Sequence, residues 1–114
     1  MEEEKTIEPT GENNGKTINI IFEICRFWGL FYKVQRFNSL LINKLSYKGY
    51  TINLKIKGTF FGEGAYNVYL NEASQKNAVF TNSEKISKSS QCIYGKEIDE
   101  NNVDKVIELI ESKT

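Results

Sequence analysis

Histidine is absent from the chain. Its absence removes Ser-His-Asp triads, the common zinc sites and any imidazole base titrating near neutral pH. Net charge is lacking too: 15 Lys and Arg balance 15 Asp and Glu. With no basic excess to neutralise phosphates, nucleic acid is excluded as an expected partner. No apolar run approaches the roughly 18 residues of a membrane span, and no basic start leads into the apolar stretch of a secretory leader. The expectation is a cytoplasmic protein without membrane contact. Proline occurs once, at Pro9, and cysteine twice, at Cys25 and Cys92. Cytosolic thiols are held reduced, so the two cysteines read as free or transiently paired, not as a structural bridge. Neither a metal nor a bound cofactor is expected.

What is present suits one small folded domain: 114 residues, 39% hydrophobic and 26% charged. Residues 1–16 are rich in glutamate and contain the polar run Thr10-Gly11-Glu12-Asn13-Asn14-Gly15, which predicts a mobile acidic tail ahead of a domain over 17–114. From Thr17 to Ile24 the run TINIIFEI predicts a central strand covered on both faces. Leu30, Val34, Phe37, Leu41 and Leu45 then recur at helical spacing, and Lys48-Gly49 ends that helix. Tyr50 to Lys57 alternates, with Ile52, Leu54 and Ile56 opposite Asn53, Lys55 and Lys57, as a strand with one wet face does.

A strand, helix and strand in succession form a right-handed crossover with the strands parallel. Ala65 to Leu70 and Asn77 to Asn82 flank a polar turn and predict an antiparallel hairpin. Val103, Val106, Ile107 and Ile110 predict a final helix, with Asp99 as its cap, Ile98 as a staple against Val103, and Glu97, Asp99 and Glu100 as acids suited to a helix start. The sum is an α/β chain of the α+β two-layer kind, β-α-β-β-β-α, with a mixed four-stranded sheet.

Cys25 falls where the first strand ends and the helix is about to begin. Unpaired backbone N–H groups at a helix start stabilise a thiolate, and Arg26 adds a positive charge nearby. Burial among Phe22, Phe27 and Phe31 would act in the opposite sense. A dithiol site needs a second sulfur or selenium at the C-x-x-C spacing, and that position holds Trp28. Tryptophan neither attacks nor leaves; as a plain structural residue it covers the first helical turn.

Strand-Cys25-x-x-Trp28-Gly29-helix, the segment Gly64-Ala65-Tyr66-Asn67-Val68-Tyr69-Leu70-Asn71 and the Val103-x-x-Val106-Ile107-x-x-Ile110 helix together resemble the selenoprotein W, T and H family, over roughly Thr17 to Ile110. The compact selenoprotein W-like members fit best, since the long apolar insertion of the T branch is missing. The resemblance implies a thioredoxin-like fold and thiol redox chemistry on glutathione or protein disulfides. Cys25 would be its attacking thiolate and Trp28 would stand at the selenocysteine or second-cysteine position. Selenocysteine's UGA differs from tryptophan's UGG by one base, so position 28 is a candidate selenocysteine. The alternative is a redox-silent binding module for a protein partner, with the chemistry blocked by Trp28.

Cys92 sits in the polar stretch Lys85 to Gly95 after the last strand, either as an incidental thiol or as a resolving partner for Cys25. Such a bridge needs Cα atoms within about 7 Å. Phe60 and Phe61 read as core or as an apolar rim. Gly62-Glu63-Gly64 lacks the pattern of a phosphate loop.

Overall fold

The alternation read from Thr17 onward sorts Ile18, Ile20, Phe22 and Ile24 to one face of a strand, where all four are buried. This strand lies inside a sheet, in a computed structural model that describes residues 2–25, 31–59, 66–74, 77–81, 93–94 and 100–114. The elements in chain order are β1 (Glu2–Ile7), β2 (Thr17–Cys25), α1 (Phe31–Tyr47), β3 (Thr51–Thr59), β4 (Tyr66–Leu70), β5 (Ala78–Thr81), β6 (Ile93–Tyr94) and α2 (Asn101–Ser112). Their order across the sheet is β1-β3-β2-β4-β5-β6. The β2-α1-β3 crossover makes β2 and β3 parallel, in register from Thr17 with Thr51 to Cys25 with Thr59. β4 runs antiparallel to β2, and β5 antiparallel to β4, closing the expected hairpin. The α+β architecture with a mixed sheet is therefore as expected.

Two expectations need correction. The sheet is not four-stranded: five strands of four to nine residues are extended at one edge by the two-residue β6, which pairs parallel with β5. The added strand at the other edge comes from residues 1–16, where a mobile tail was expected. β1 pairs antiparallel with β3, placing Glu2 across from Lys57, Glu4 from Lys55, Thr6 from Asn53 and Ile7 from Ile52. The acidic start thus meets the basic, wet side of β3, and Glu4 reaches Lys55 at 3.6 Å. Opposite charges across a ladder and the packing of Ile7 against the core favour the pairing.

The segment after β1 is tied down as well. Thr10 donates its backbone N–H to the carbonyl and hydroxyl of Ser46, while Ser46 Oγ donates to the Glu8 carbonyl at 3.0 Å. α1 ends as expected at Lys48-Gly49. Gly49, at φ +99°, donates to Ser46 O at 3.0 Å, and Tyr50 donates to Leu45 O at 3.3 Å. These two bonds close the left-handed glycine cap.

The helices share one side of the sheet. Val34, Phe37, Leu41 and Leu45 of α1 and Val103, Val106, Ile107 and Ile110 of α2 join β2, β3, β4 and β5 in one core. Arg36–Glu100, Lys44–Asp104 and Lys48–Glu111 pair in ascending order, so the helices run parallel along this seam. Glu100 stands at the N-cap position of α2, makes no side-chain cap bond there and pairs with Arg36 at 2.7 Å. The Asp99 cap and the Ile98 staple lie outside the described residues. A bulge at Val68/Tyr69 gives β5 one extra residue, which lets both Val79 and Phe80 enter the helix-side core. No helix among the described residues is long and apolar enough to cross a membrane.

Glu111 supplies a pH-sensitive tie. Hydrogen bonds from Lys48 and Tyr50 outweigh partial desolvation and hold its carboxyl below the ordinary value of 4.5. A carboxylate with a lowered folded pKa adds stability that is complete above its unfolded pKa and is lost as pH falls through the folded one. Tyr50→Phe removes one of the two donors. The Glu111 pKa should then rise toward 4.5 and acid unfolding should begin at higher pH, as read by carboxyl NMR titration and by acid melts.

Candidate functional site

The redox candidate is built at the end of the central strand. Cys25 is the last residue of β2, its backbone in register with Thr59 of β3, and α1 begins at Phe31. Cys25 therefore ends the first strand of the crossover, as expected, while residues 26–30 lie outside the described residues. Trp28, the proposed partner position, and Cys92, the proposed resolving thiol, both lie outside the described residues. So do Arg26, Phe60 and Phe61. Ile93, the residue after Cys92, opens β6 and pairs with Phe80.

Beneath this end of the sheet lies an aromatic layer. Phe37 of α1 meets Phe80 at 5.0 Å and Tyr66 at 5.9 Å between ring centroids, and Tyr66 lies over Phe22 at 6.5 Å. Tyr66, paired with Ile24 one residue before Cys25, is fully buried, and burial pushes its phenol well above the ordinary value. The neutral phenol donates to Asn38 Oδ1 on α1. That bond fixes which way the Asn38 amide faces and ties α1 to the hairpin.

The opposite face of the sheet carries a polar network. Glu23 stands two positions before Cys25, and its Oε1 accepts from Asn67 Nδ2 at 2.8 Å and from the Tyr69 hydroxyl at 3.3 Å. Thr81 Oγ1 donates to Asn67 Oδ1. Asn67 and Thr81 are buried beside Ile21, Tyr69 and Ala78. Buried polar groups in a protein interior must find partners, and here they clamp β2, β4 and β5 together.

The reading of TINIIFEI as a strand covered on both faces passes over this network. The available signal was Glu23, an acid in a central strand, together with Asn67 and Thr81 in the hairpin strands that pair beside it. Among the described residues, no group of three or more His, Cys, Asp or Glu is placed to hold a metal ion. No family model, no curated protein and no solved structure matches the chain.

Proposed function

We propose that the chain is a cytoplasmic, selenoprotein W-like thiol redox protein of thioredoxin-like fold, with Cys25 as its attacking thiolate. One observation carries the reading: Cys25 terminates the central strand of a parallel β-α-β crossover, five residues short of the last position before Phe31 opens α1. On this reading the free N–H groups at the start of α1 stabilise the Cys25 thiolate. The run from β2 to α2 supports it further: apart from the two-residue β6, it follows the β-α-β-β-β-α order the resemblance implies.

In the reaction, the Cys25 thiolate attacks one sulfur of a substrate disulfide. A mixed disulfide forms, the old S–S bond breaks, and the other substrate sulfur leaves as a thiolate that takes a proton from water. Glutathione thiolate then attacks the mixed disulfide, freeing Cys25 and leaving a glutathione–substrate disulfide. An external resolving thiol is favoured over Cys92 because β6, which begins one residue after Cys92, is three strand spacings, or about 14 Å, from β2. If position 28 is natively selenocysteine, it takes over the resolving step.

A second reading, a redox-silent binding module, is favoured by Trp28 itself, which cannot attack or leave. Oxidised glutathione separates the two. The redox reading expects one glutathione on Cys25, detected by peptide mass, and none in Cys25→Ser. An unmodified Cys25 in the native chain overturns it in favour of the module. Codon 28 in the native transcript decides the selenocysteine question: UGA with a selenocysteine-insertion element supports it, and UGG excludes it.

A further inference from the structure

Among the asparagines of the chain, only Asn14 is followed by glycine. That pairing carries a chemistry of its own. The backbone nitrogen of the following residue can attack the carbonyl carbon of the asparagine side chain, and a Cβ on that residue obstructs the approach. Asn19, Asn53 and Asn67 lie in strands and are followed by Ile20, Leu54 and Val68, whose bulk crowds the attacking nitrogen. Gly15 has no Cβ, holds φ at +77°, and has nothing within 4 Å of the place a Cβ would occupy. The exposed segment around it also holds each reacting group. Lys16 donates its backbone N–H to Asn14 Oδ1 at 2.8 Å, so a donor already faces the oxygen on which negative charge develops during attack. Asn14 Nδ2, the leaving amine, donates to Lys48 O at 3.2 Å. The Gly15 N–H donates to Asn13 Oδ1 at 2.8 Å, an exposed bond whose proton solvent hydroxide can reach.

We propose that Asn14 is a self-modification site, converted in the folded chain to aspartate and isoaspartate, and that its conversion loosens the segment between β1 and β2 from the end of α1. Hydroxide takes the Gly15 N–H proton, the Gly15 nitrogen bonds to Asn14 Cγ, and the Cγ–Nδ2 bond breaks, ammonia leaving with a proton from water. Water then opens the resulting succinimide. Cleavage between the Gly15 nitrogen and Cγ gives aspartate. Cleavage between that nitrogen and the Asn14 backbone carbonyl carbon gives isoaspartate, with one extra carbon in the main chain. Water is the only co-reactant, and nothing is oxidised or reduced.

The structural consequence follows from what Asn14 holds. It is tied to the end of α1 twice, by its backbone N–H to Gly49 O at 3.0 Å and by Nδ2 to Lys48 O. Either product loses the Nδ2 donor and gains a carboxylate, so the Lys48 carbonyl is left facing a negative charge at the end of the helix where the dipole is itself negative. The neighbouring ties from Thr10 and Gly11 to Ser46 O then carry the segment alone. The inference goes beyond the redox reading and stands without it, because no thiol takes part.

Ageing the full chain at mildly alkaline pH tests it, beside the peptide acetyl-Glu-Asn-Asn-Gly-Lys-Thr-amide, which copies residues 12–17. Peptide mapping against synthetic standards should find both products at position 14, formed at a rate within about tenfold of that in the free peptide. In the Asn14→Asp variant, whose altered residue is exposed and leaves the core intact, hydrogen exchange at the Thr10 and Gly11 amides should speed up severalfold while exchange in β2 stays unchanged. The proposal is overturned if Asn14 stays intact while the peptide is consumed, which would show that the fold protects it. It is equally overturned if Thr10 and Gly11 exchange at the parent rate in both the aged chain and the Asn14→Asp variant.

Discussion

Replacing Phe37 by alanine is expected to lower the unfolding free energy by about 3–5 kcal/mol, the range for removing a buried aromatic ring. Phe37 is 1% exposed and meets both strands of the hairpin, against Tyr66 and Phe80. Its loss leaves a cavity between two rigid partners that have little freedom to close it. Because small domains are stable by only about 5–15 kcal/mol, the variant should lose a large share of its margin. The readout is the denaturant midpoint, which should fall with little change in slope. Phe37→Leu keeps most of the volume and should cost clearly less. A loss below about 1.5 kcal/mol for the alanine variant would mean that the aromatic layer is not packed as described.

Gly49→Ala is the second large effect, at about 2–4 kcal/mol. Placing alanine at the left-handed φ of +99° costs about 1–2 kcal/mol by itself. The remainder comes from the N-terminal segment: a Cβ on Gly49 would lie 2.0 Å from the Glu12 carbonyl oxygen and 2.9 Å from the Asn14 nitrogen, backbone atoms that no rotamer change can move aside. Asn14 would be displaced, with its backbone bond to Gly49 O at 3.0 Å and its side-chain bond to Lys48 O at 3.2 Å. The two components separate in a cycle. In a chain shortened to begin at Gly15, the same substitution should cost only the left-handed part, about 1–2 kcal/mol. Equal costs in the two backgrounds would show that residues 8–14 do not pack against the end of α1.

These two sites mark what was legible in the sequence and what was not. Phe37 belongs to a 3.6-residue pattern, and the glycine stop at Gly49 follows from the conformational freedom of a single residue type. Local periodicity likewise announces β2, β3, the hairpin and α2. β1 is different in kind. Its glutamates look like solvated tail until Lys55 and Lys57 are seen across the ladder, and that pairing joins segments some fifty positions apart. β6 is only two residues long and has no period to read. At the candidate site, the strand-end address of Cys25 is a matter of element order and was readable. The Glu23–Asn67–Thr81 network was not, because it exists only once the register of β2, β4 and β5 brings the three residues side by side.

The central claim is that Cys25 is a reactive thiolate at neutral pH, and its titration tests that claim most directly. In the Cys92→Ser variant, the rate of alkylation of Cys25 measured against pH should give a thiol pKa below about 7.5, as the proposed attacking thiolate requires. A value at or above about 8.5, the ordinary thiol range, would contradict the account and leave the chain without a redox centre.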